Sequence, residues 1–442
     1  MKALVVGMKR SGIATAGFLA RRGDEVRATD LKPLDQLGDA AATLSRLGIA
    51  FEQQNDSVFE GADLIVTSPD VPNDLPPLEA ARARGVRVIG EVELAAPYLK
   101  GRTIGITGSN GKTTTTSLIG HVLREAGVPV QVGGNIGTPV TAMVETSRDD
   151  GWNVLELSSF QLETISDFRA HIALGLNVTQ NHLDRHHTFE NYAAAKRRLF
   201  ETQQPGDFAV LNADDPVTAA FAGHTKASVE WFSSRKEVTP GATLRGEDLV
   251  LDGQALMTAS EIPIRGRHNV ENVLAAAIAA ARAGVSPERI AAAVRTFHAV
   301  EHRLEFVRRV DGIDFYNDSK ATSVDATLKA LDAFEGGLWV ILGGKDKGLD
   351  YAALRDPLHA KAHAALLIGA AAAKIGAQLA GAVPLVEAKT LDGAIAYATE
   401  HGHTGDTVLL APACASFDQF RSFEHRGEVF KHIVNGLGGE GI

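Results

Sequence analysis

The sequence predicts an α/β protein built of doubly wound, mainly parallel sheets. Strand-like apolar runs, as in Ala3-Leu-Val-Val-Gly7, Ala62-Asp-Leu-Ile-Val-Thr67, Thr103-Ile-Gly-Ile-Thr107 and Leu338-Trp-Val-Ile-Leu342, alternate with amphipathic stretches along the chain, the pattern of βαβ units. Gly- or Ser-rich loops follow several of these runs, where a parallel sheet gathers its ligand-binding turns. The length, 442 residues, is too great for a single compact core.

Breaks in the alternation divide the chain into three domains. The first βα run closes with the strand Val86-Arg-Val-Ile-Gly90, Leu94 to Leu99 reads as a connecting helix, and a new sheet starts at Thr103. Ile262-Pro-Ile264 to Ala283 reads as strand, turn and helix, and another α/β run follows Val300-Glu-His-Arg-Leu304. The expected domains are 1–92, 93–298 and 299–442, with hinges near residues 92 and 299.

Composition narrows the function. With 45% hydrophobic and 22% charged residues the chain has ample apolar surface for its cores and no sign of disorder. A net charge of −10 and a pI near 5.8 argue against a nucleic-acid surface, which needs Lys and Arg clustered across a face, so an anionic ligand must meet a local pocket. The single cysteine, Cys414, excludes an internal disulfide framework, fits a reducing compartment and reads as a small buried residue. The apolar run behind Met1 and Lys2 spans only four residues, too short for a signal peptide or a membrane span. A cytoplasmic monomer without membrane insertion is expected.

Gly108-Ser-Asn-Gly111-Lys112-Thr113-Thr114-Thr115 follows a strand and opens a helix read from Ser117 to Ala126. Glycines there let backbone N–H groups turn around phosphates, a helix N-terminus adds its positive end, Lys112 meets the β- and γ-phosphates, and a Thr hydroxyl can reach Mg²⁺. Ile106 stands where the general phosphate-loop pattern has its first Gly; even so, the ligand expected is ATP. The strand Trp152-Asn-Val-Leu-Glu156 ends in an acid beside that loop, which makes Glu156 a metal-ligand candidate. His182, after the strand Ile172 to Leu176, is a second candidate, although three histidines in the six residues 182–187 also suit a polar loop. By composition Lys196, in the helix Tyr192 to Phe200, is an exposed helical lysine.

At the N-terminus Gly7-Met-Lys-Arg-Ser11-Gly12 follows a strand and Asp30 ends the next, as in a dinucleotide-type fold. Lys9 occupies the middle glycine of that fingerprint, which favours a nucleoside diphosphate over NAD. In the last third Asn317-Asp-Ser-Lys-Ala-Thr322, Gly343-Gly-Lys-Asp-Lys-Gly348 and Ala411-Pro-Ala-Cys-Ala-Ser416-Phe-Asp-Gln-Phe420 each follow a strand and could form a crevice for a small anion.

Taken together, these segments resemble the Mur ligase family over the whole chain. The phosphate loop, the His182 segment and His268-Asn-Val-Glu-Asn272 are family-wide, whereas Glu156-Leu-Ser-Ser-Phe-Gln-Leu162, Asn317 to Thr322 and Pro412 to Phe420 resemble the D-glutamate-adding branch. The resemblance implies a Rossmann-like N-terminal domain for a UDP-sugar, a central P-loop mononucleotide-binding domain for ATP and a Rossmann-like C-terminal domain for the amino acid. It implies ATP-dependent addition of D-glutamate to UDP-N-acetylmuramoyl-L-alanine through an acyl phosphate, in peptidoglycan synthesis. Another Mur-type or folylpolyglutamate-type ligase, or a non-catalytic nucleotide-binding regulator, is the alternative.

The same resemblance assigns residues. Lys112, Glu156, His182 and Lys196 are the catalytic set. Ser109, Asn110, Gly111, Lys112, Thr113, Thr114 and Thr115 serve ATP, with Asn269, Asn272, Arg303, Asp318 and Lys320 near the nucleotide. Thr113, Thr114, Glu156 and His182 face Mg²⁺, and Lys196 matches a lysine the family carbamylates, which would turn a cation into a carboxylate-like group beside the metals. Ser11, Asp30 and Asn135 fall to the UDP-sugar, and Thr322, Lys347, Ser416 and Phe423 to glutamate. Two positions depart from the family pattern near the uracil nucleotide: Asp70 replaces an expected Gly, and Lys32 stands where Arg is common.

Overall fold

The computed structural model describes residues 1–264, 266–298 and 301–438. Among these residues three sheets follow one another along the chain. The first holds β1 (Lys2–Val6), β2 (Glu25–Asp30), β3 (Ala50–Gln53), β4 (Leu64–Thr67) and β5 (Arg87–Gly90), all parallel, in the order β3-β2-β1-β4-β5. Leu4, Val5 and Val6 are wholly buried because helices cover both faces, so the strand reads as an unbroken apolar run. Strand order reverses at β1, and the ligand crevice of such a sheet opens beyond the C-terminal ends of β1 and β4.

The second sheet comprises β6 (Arg102–Thr107), β7 (Val130–Gly134), β8 (Trp152–Glu156), β9 (Ile172–Gly175), β10 (Phe208–Asn212), β11 (Ser228–Ser233), β12 (Gly241–Arg245), β13 (Asp248–Leu251) and β14 (Gln254–Thr258). Their order is β14-β13-β12-β11-β10-β9-β6-β8-β7, parallel except for the antiparallel pairs β12–β13 and β13–β14. The third comprises β15 (Glu305–Val310), β16 (Ile313–Asn317), β17 (Leu338–Gly343), β18 (Ala362–Ile368), β19 (Leu385–Lys389) and β20 (Thr407–Leu410) in the order β15-β16-β20-β17-β18-β19, with only β15 antiparallel. Its two faces carry separate cores, one around Val340, Leu342 and Tyr351, the other around Phe315, Ile341 and Phe430.

By internal packing the chain forms two units, Met1–Glu261 with Glu271–Arg295, and Ile262–Val270 with Thr296–Ile442. The first two sheets share a unit because the connector after β5 is anchored to the second sheet's domain. Glu91 and Glu93, in the buried helix Glu91–Ala95, supply the anchors. One oxygen of Glu91 accepts from the Thr141 N–H (2.7 Å) and hydroxyl (3.0 Å). The Glu93 carboxylate accepts from the backbone N–H groups of Ser166, Asp167 and Phe168 and from the Ser166 hydroxyl, at 2.7–3.0 Å.

Some local expectations are corrected. The connecting helix read over Leu94 to Leu99 begins earlier, at Glu91, and ends in a 3-10 turn, Ala96–Tyr98. The helix read from Ser117 begins at Lys112, directly on the phosphate loop. No strand forms over residues 262–264, where Pro263 lacks the N–H a ladder needs. The expected domain boundary and hinge at 299 fall on residues 299 and 300, outside the described residues.

Candidate active site

The phosphate loop links β6 to the helix Lys112–Glu125, and Gly111 caps that helix in the left-handed region (φ 82°). A side chain there would be strained and would also strike the Asn272 side chain, so the position requires glycine. The loop is fixed by the end of β9: the N–H of Ser109 donates to the Asn177 carbonyl (2.8 Å) and that of Asn110 to the Asn177 side-chain oxygen (2.9 Å). Thr115 donates to Asn272 Oδ1 (3.2 Å), which joins Asn272 to this set.

Beside the loop, Glu156 is 2% exposed at the end of β8. Its Oε2 accepts from the Thr113 hydroxyl (2.7 Å) and its Oε1 from Asn135 Nδ2 (2.8 Å). The segment after it is shaped by a capping box: Ser158 Oγ accepts from the Gln161 N–H (3.2 Å), and Gln161 Oε1 from the Ser158 N–H (3.0 Å). That reciprocal pair is a structural reason for a Ser and a Gln at this spacing, and it presents Phe160 to the pocket.

Lys196 overturns its compositional reading. It is 1% exposed, and its ammonium donates to the Gly108 carbonyl (2.7 Å). Burial first, and the nearby Lys112 cation second, hold its pKa well below the ordinary lysine range, while Glu156 pulls the other way. Lys112 Nζ folds back on the carbonyls of Gly108 (2.8 Å) and Ser109 (3.0 Å).

Lys112 and Lys196 border a pocket of about 380 Å³ lined also by His182 from the second sheet's domain and by Lys9, Ser11 and Asp70 from the first, and Glu156 connects to it through its partner Asn135. His182 is exposed, has left-handed backbone (φ 52°) and meets Phe160 edge to face, with ring centroids 4.9 Å apart. Asn135 also lines the pocket. Thr114 is buried on the first turn of the phosphate-loop helix. Asp30 is employed structurally, accepting from the N–H groups of Met8 (2.6 Å) and Lys32 (2.9 Å), which holds the loop after β1 in shape. Gly12, on the helix Arg10–Arg21 that follows, lets that helix approach the loop, since a Cβ there would overlap the Gly7 carbonyl oxygen.

The second unit carries the other candidates. Asp318 is buried at the end of β16, and burial pushes its carboxyl up to about 7 against the opposing pull of Arg303. Lys320 Nζ lies 3.7 Å from the centre of the Phe423 ring, a cation–π contact. Lys347 Nζ donates to the Thr322 carbonyl (3.1 Å), so two glutamate candidates touch. Ser416 is buried in the loop after β20, and Asn269 lies buried near the start of the helix Arg267–Arg282.

Sequence reasoning missed several participants. Tyr192 lies under the Lys196 ammonium (4.6 Å from ring centre) and exchanges a hydrogen bond with the Ser109 hydroxyl (2.9 Å). Its spacing from Lys196, one helical turn, was the available signal. Arg10 and Phe160 line the pocket as well.

Three protein-family models match in tandem: a Mur ligase MurD-like N-terminal domain over residues 1–90, a Mur ligase middle domain over 106–280, and a Mur ligase glutamate ligase domain over 302–414. A UDP-N-acetylmuramoylalanine--D-glutamate ligase from Solibacter usitatus is 78% identical over 437 residues, 99% of this chain and 98% of that protein. The chain belongs to the Mur ligase family. Another member bearing that name, from Acidobacterium capsulatum, is 52% identical over 98% of this chain and 96% of its own. The Mur ligase fold is also seen in the MurF ligase from Thermotoga maritima, solved in complex with ADP, at a TM-score of 0.63 and 15% identity, covering 93% of this chain and 95% of that one. Among the described residues of this Mur ligase no helix is long and apolar enough to cross a membrane.

Proposed function

We propose that this Mur ligase joins D-glutamate to UDP-N-acetylmuramoyl-L-alanine with conversion of ATP to ADP and phosphate, a step of peptidoglycan synthesis carried out in the cytoplasm. The observation that carries this reading is the 78% identity, over nearly the full length of both chains, to a ligase of that name. A carboxylate is a poor electrophile, so its oxygen first takes the γ-phosphoryl group and ADP leaves. The glutamate amine then attacks the acyl phosphate, the amide bond forms, and inorganic phosphate leaves with the amine's proton lost to the surroundings.

The residues suit these roles. Lys112 and the helix that starts there offer a cation and the positive end of a helix to the phosphates. Glu156 and the Thr113 hydroxyl are hard oxygen donors already 2.7 Å apart, the chemistry Mg²⁺ favours, and Glu156 reaches the pocket that His182 borders through its partner Asn135. Mg²⁺ keeps several waters and phosphate oxygens in its shell, so few protein ligands suffice. Bound there, it would neutralise charge on the transferring phosphoryl group. The lowered pKa of Lys196 favours the neutral amine, the form whose nitrogen bonds to CO₂ with loss of a proton, and this supports its carbamylation.

We assign residues 1–92 to the UDP-sugar, 93–298 to ATP and 299–442 to the amino acid, with the protein acting as a monomer. Phosphate release from ATP and Mg²⁺ is measured with UDP-N-acetylmuramoyl-L-alanine and, separately, D-glutamate, L-glutamate, L-lysine or meso-diaminopimelate. Release dependent on D-glutamate is expected. Release with another amino acid instead would keep the ligase and overturn the substrate, and no release with any would overturn both.

A further inference from the structure

The helix Phe423–Gly436 turns an apolar stripe of Phe430 and Val434 into the third sheet, and Arg426 falls on that stripe. Its side chain is 0% exposed, and among the described residues its guanidinium donates to uncharged oxygens. Nε donates to Ser319 Oγ (2.9 Å), Nη2 to the carbonyls of Ser319 (2.8 Å) and Cys414 (3.2 Å), and Nη1 to the carbonyls of Cys414 (3.2 Å) and Ala415 (3.5 Å). Ser319 in turn donates to the Phe423 carbonyl (2.8 Å).

A buried cation is costly unless its donors are satisfied, and here satisfaction requires two loops at once. The loop after β16 carries Thr322, and the loop after β20 carries Ser416. A third loop, after β17, is drawn in by the hydrogen bond from the Lys345 N–H to the Ala415 carbonyl (2.8 Å). Gly344 stands in that loop because a Cβ there would strike the same carbonyl. All three loops of the candidate amino-acid crevice are thus tied, directly or through one residue, to a single fork-shaped donor.

We propose that Arg426 is a positioning residue for the amino-acid substrate: it sets the mutual register of the loops bearing Thr322 and Ser416, and its charge favours a dicarboxylate in the crevice they form. The inference rests on the proposed ligase reading. A lysine could keep the charge but not the planar fork, so it cannot bridge both loops in the same way.

The test is steady-state phosphate release by Arg426→Gln and Arg426→Lys, each substrate varied in turn, with thermal unfolding in parallel. In Arg426→Gln the KM for D-glutamate rises about tenfold or more, while the KM values for ATP and UDP-N-acetylmuramoyl-L-alanine stay within about twofold. Arg426→Lys falls between the two. Ser319→Ala, which removes one partner and keeps the charge, shifts the same KM in the same direction and decides the matter should Arg426→Gln fail to fold. An unchanged KM for D-glutamate in the folded variants, or equal rises for all three substrates, overturns the proposal. Absence of D-glutamate-dependent release in the wild type would instead remove the ligase reading itself.

Discussion

Lys196 and Lys112 share one acceptor: both ammonium groups donate to the Gly108 carbonyl, at 2.7 and 2.8 Å. Two cations so placed repel each other, and burial of Lys196 sharpens the repulsion. The arrangement is relieved when Lys196 gives up its proton, or when an anion enters the phosphate loop and draws Lys112 away.

Lys196→Ala is expected to lower the rate of ligation by about a hundredfold or more, with partial recovery when short-chain carboxylic acids occupy the vacated space. Turnover assays with and without added acetate or propionate check this. Undiminished turnover would remove Lys196 from the active site, and loss without recovery would argue against a carbamate.

Much of this site was legible because its signals are local. Gly108 to Thr114 announces a phosphate loop through glycine and lysine spacing, and Glu156 through an acid at the end of an apolar strand. Burial of Lys196 was not legible, because it depends on Gly108, which is 88 residues away in sequence. Arg426 was missed for the same reason, although a charge on the stripe of Phe430 and Val434 was a visible anomaly. The doubly wound class of the first sheet followed from alternation, whereas its strand order and the antiparallel β12 to β14 did not, since a hairpin strand and a parallel strand share one apolar pattern.

Glu156→Gln keeps the shape of the Thr113 contact but removes the charge. It is expected to raise the Mg²⁺ concentration needed for half-maximal rate by about tenfold or more, because a neutral amide is a far weaker ligand for a hard cation. A Mg²⁺ titration of phosphate release measures this, and an unshifted midpoint would place the ion elsewhere.

The exposed pair Lys9 and Asp70, 2.9 Å apart, joins the loops after β1 and β4 at the rim of the pocket. These are the residue that breaks the glycine fingerprint and the acid that replaces an expected glycine, so the two departures answer each other. A solvated pair of this kind is worth less than about 1 kcal/mol, and a diphosphate can displace Asp70 from Lys9. Asp70→Asn is therefore expected to tighten binding of the UDP-linked substrate by about two- to fivefold at low salt, with the gain fading as salt is raised. Calorimetric titration at two ionic strengths checks it. Weaker binding would mean that Asp70 itself holds the ligand.

Glu91 and Glu93, two residues apart, are expected to give opposite pH dependences of stability. For Glu93 burial is the largest influence and acts upward, but the bonds from residues 166–168 outweigh it and its pKa lies below the usual value of 4.5. Its contribution is therefore present above about pH 4.5 and is lost as pH falls through the depressed folded value. Glu91, with its second oxygen buried and lacking a hydrogen-bond partner among the described residues, is pushed up to about 7, chiefly by burial. The folded state then holds a proton that the unfolded state releases, so stability is lost as pH rises from about 4.5 to about 7, by an amount on the order of 3 kcal/mol. Glu91→Gln removes this titration and should flatten the fall between those values, whereas Glu93→Gln should weaken the fold at neutral pH and blunt its response to acid. Denaturant unfolding of both variants across this range decides the question: a Glu91→Gln curve parallel to the wild type would show that Glu91 is ionised in the folded protein.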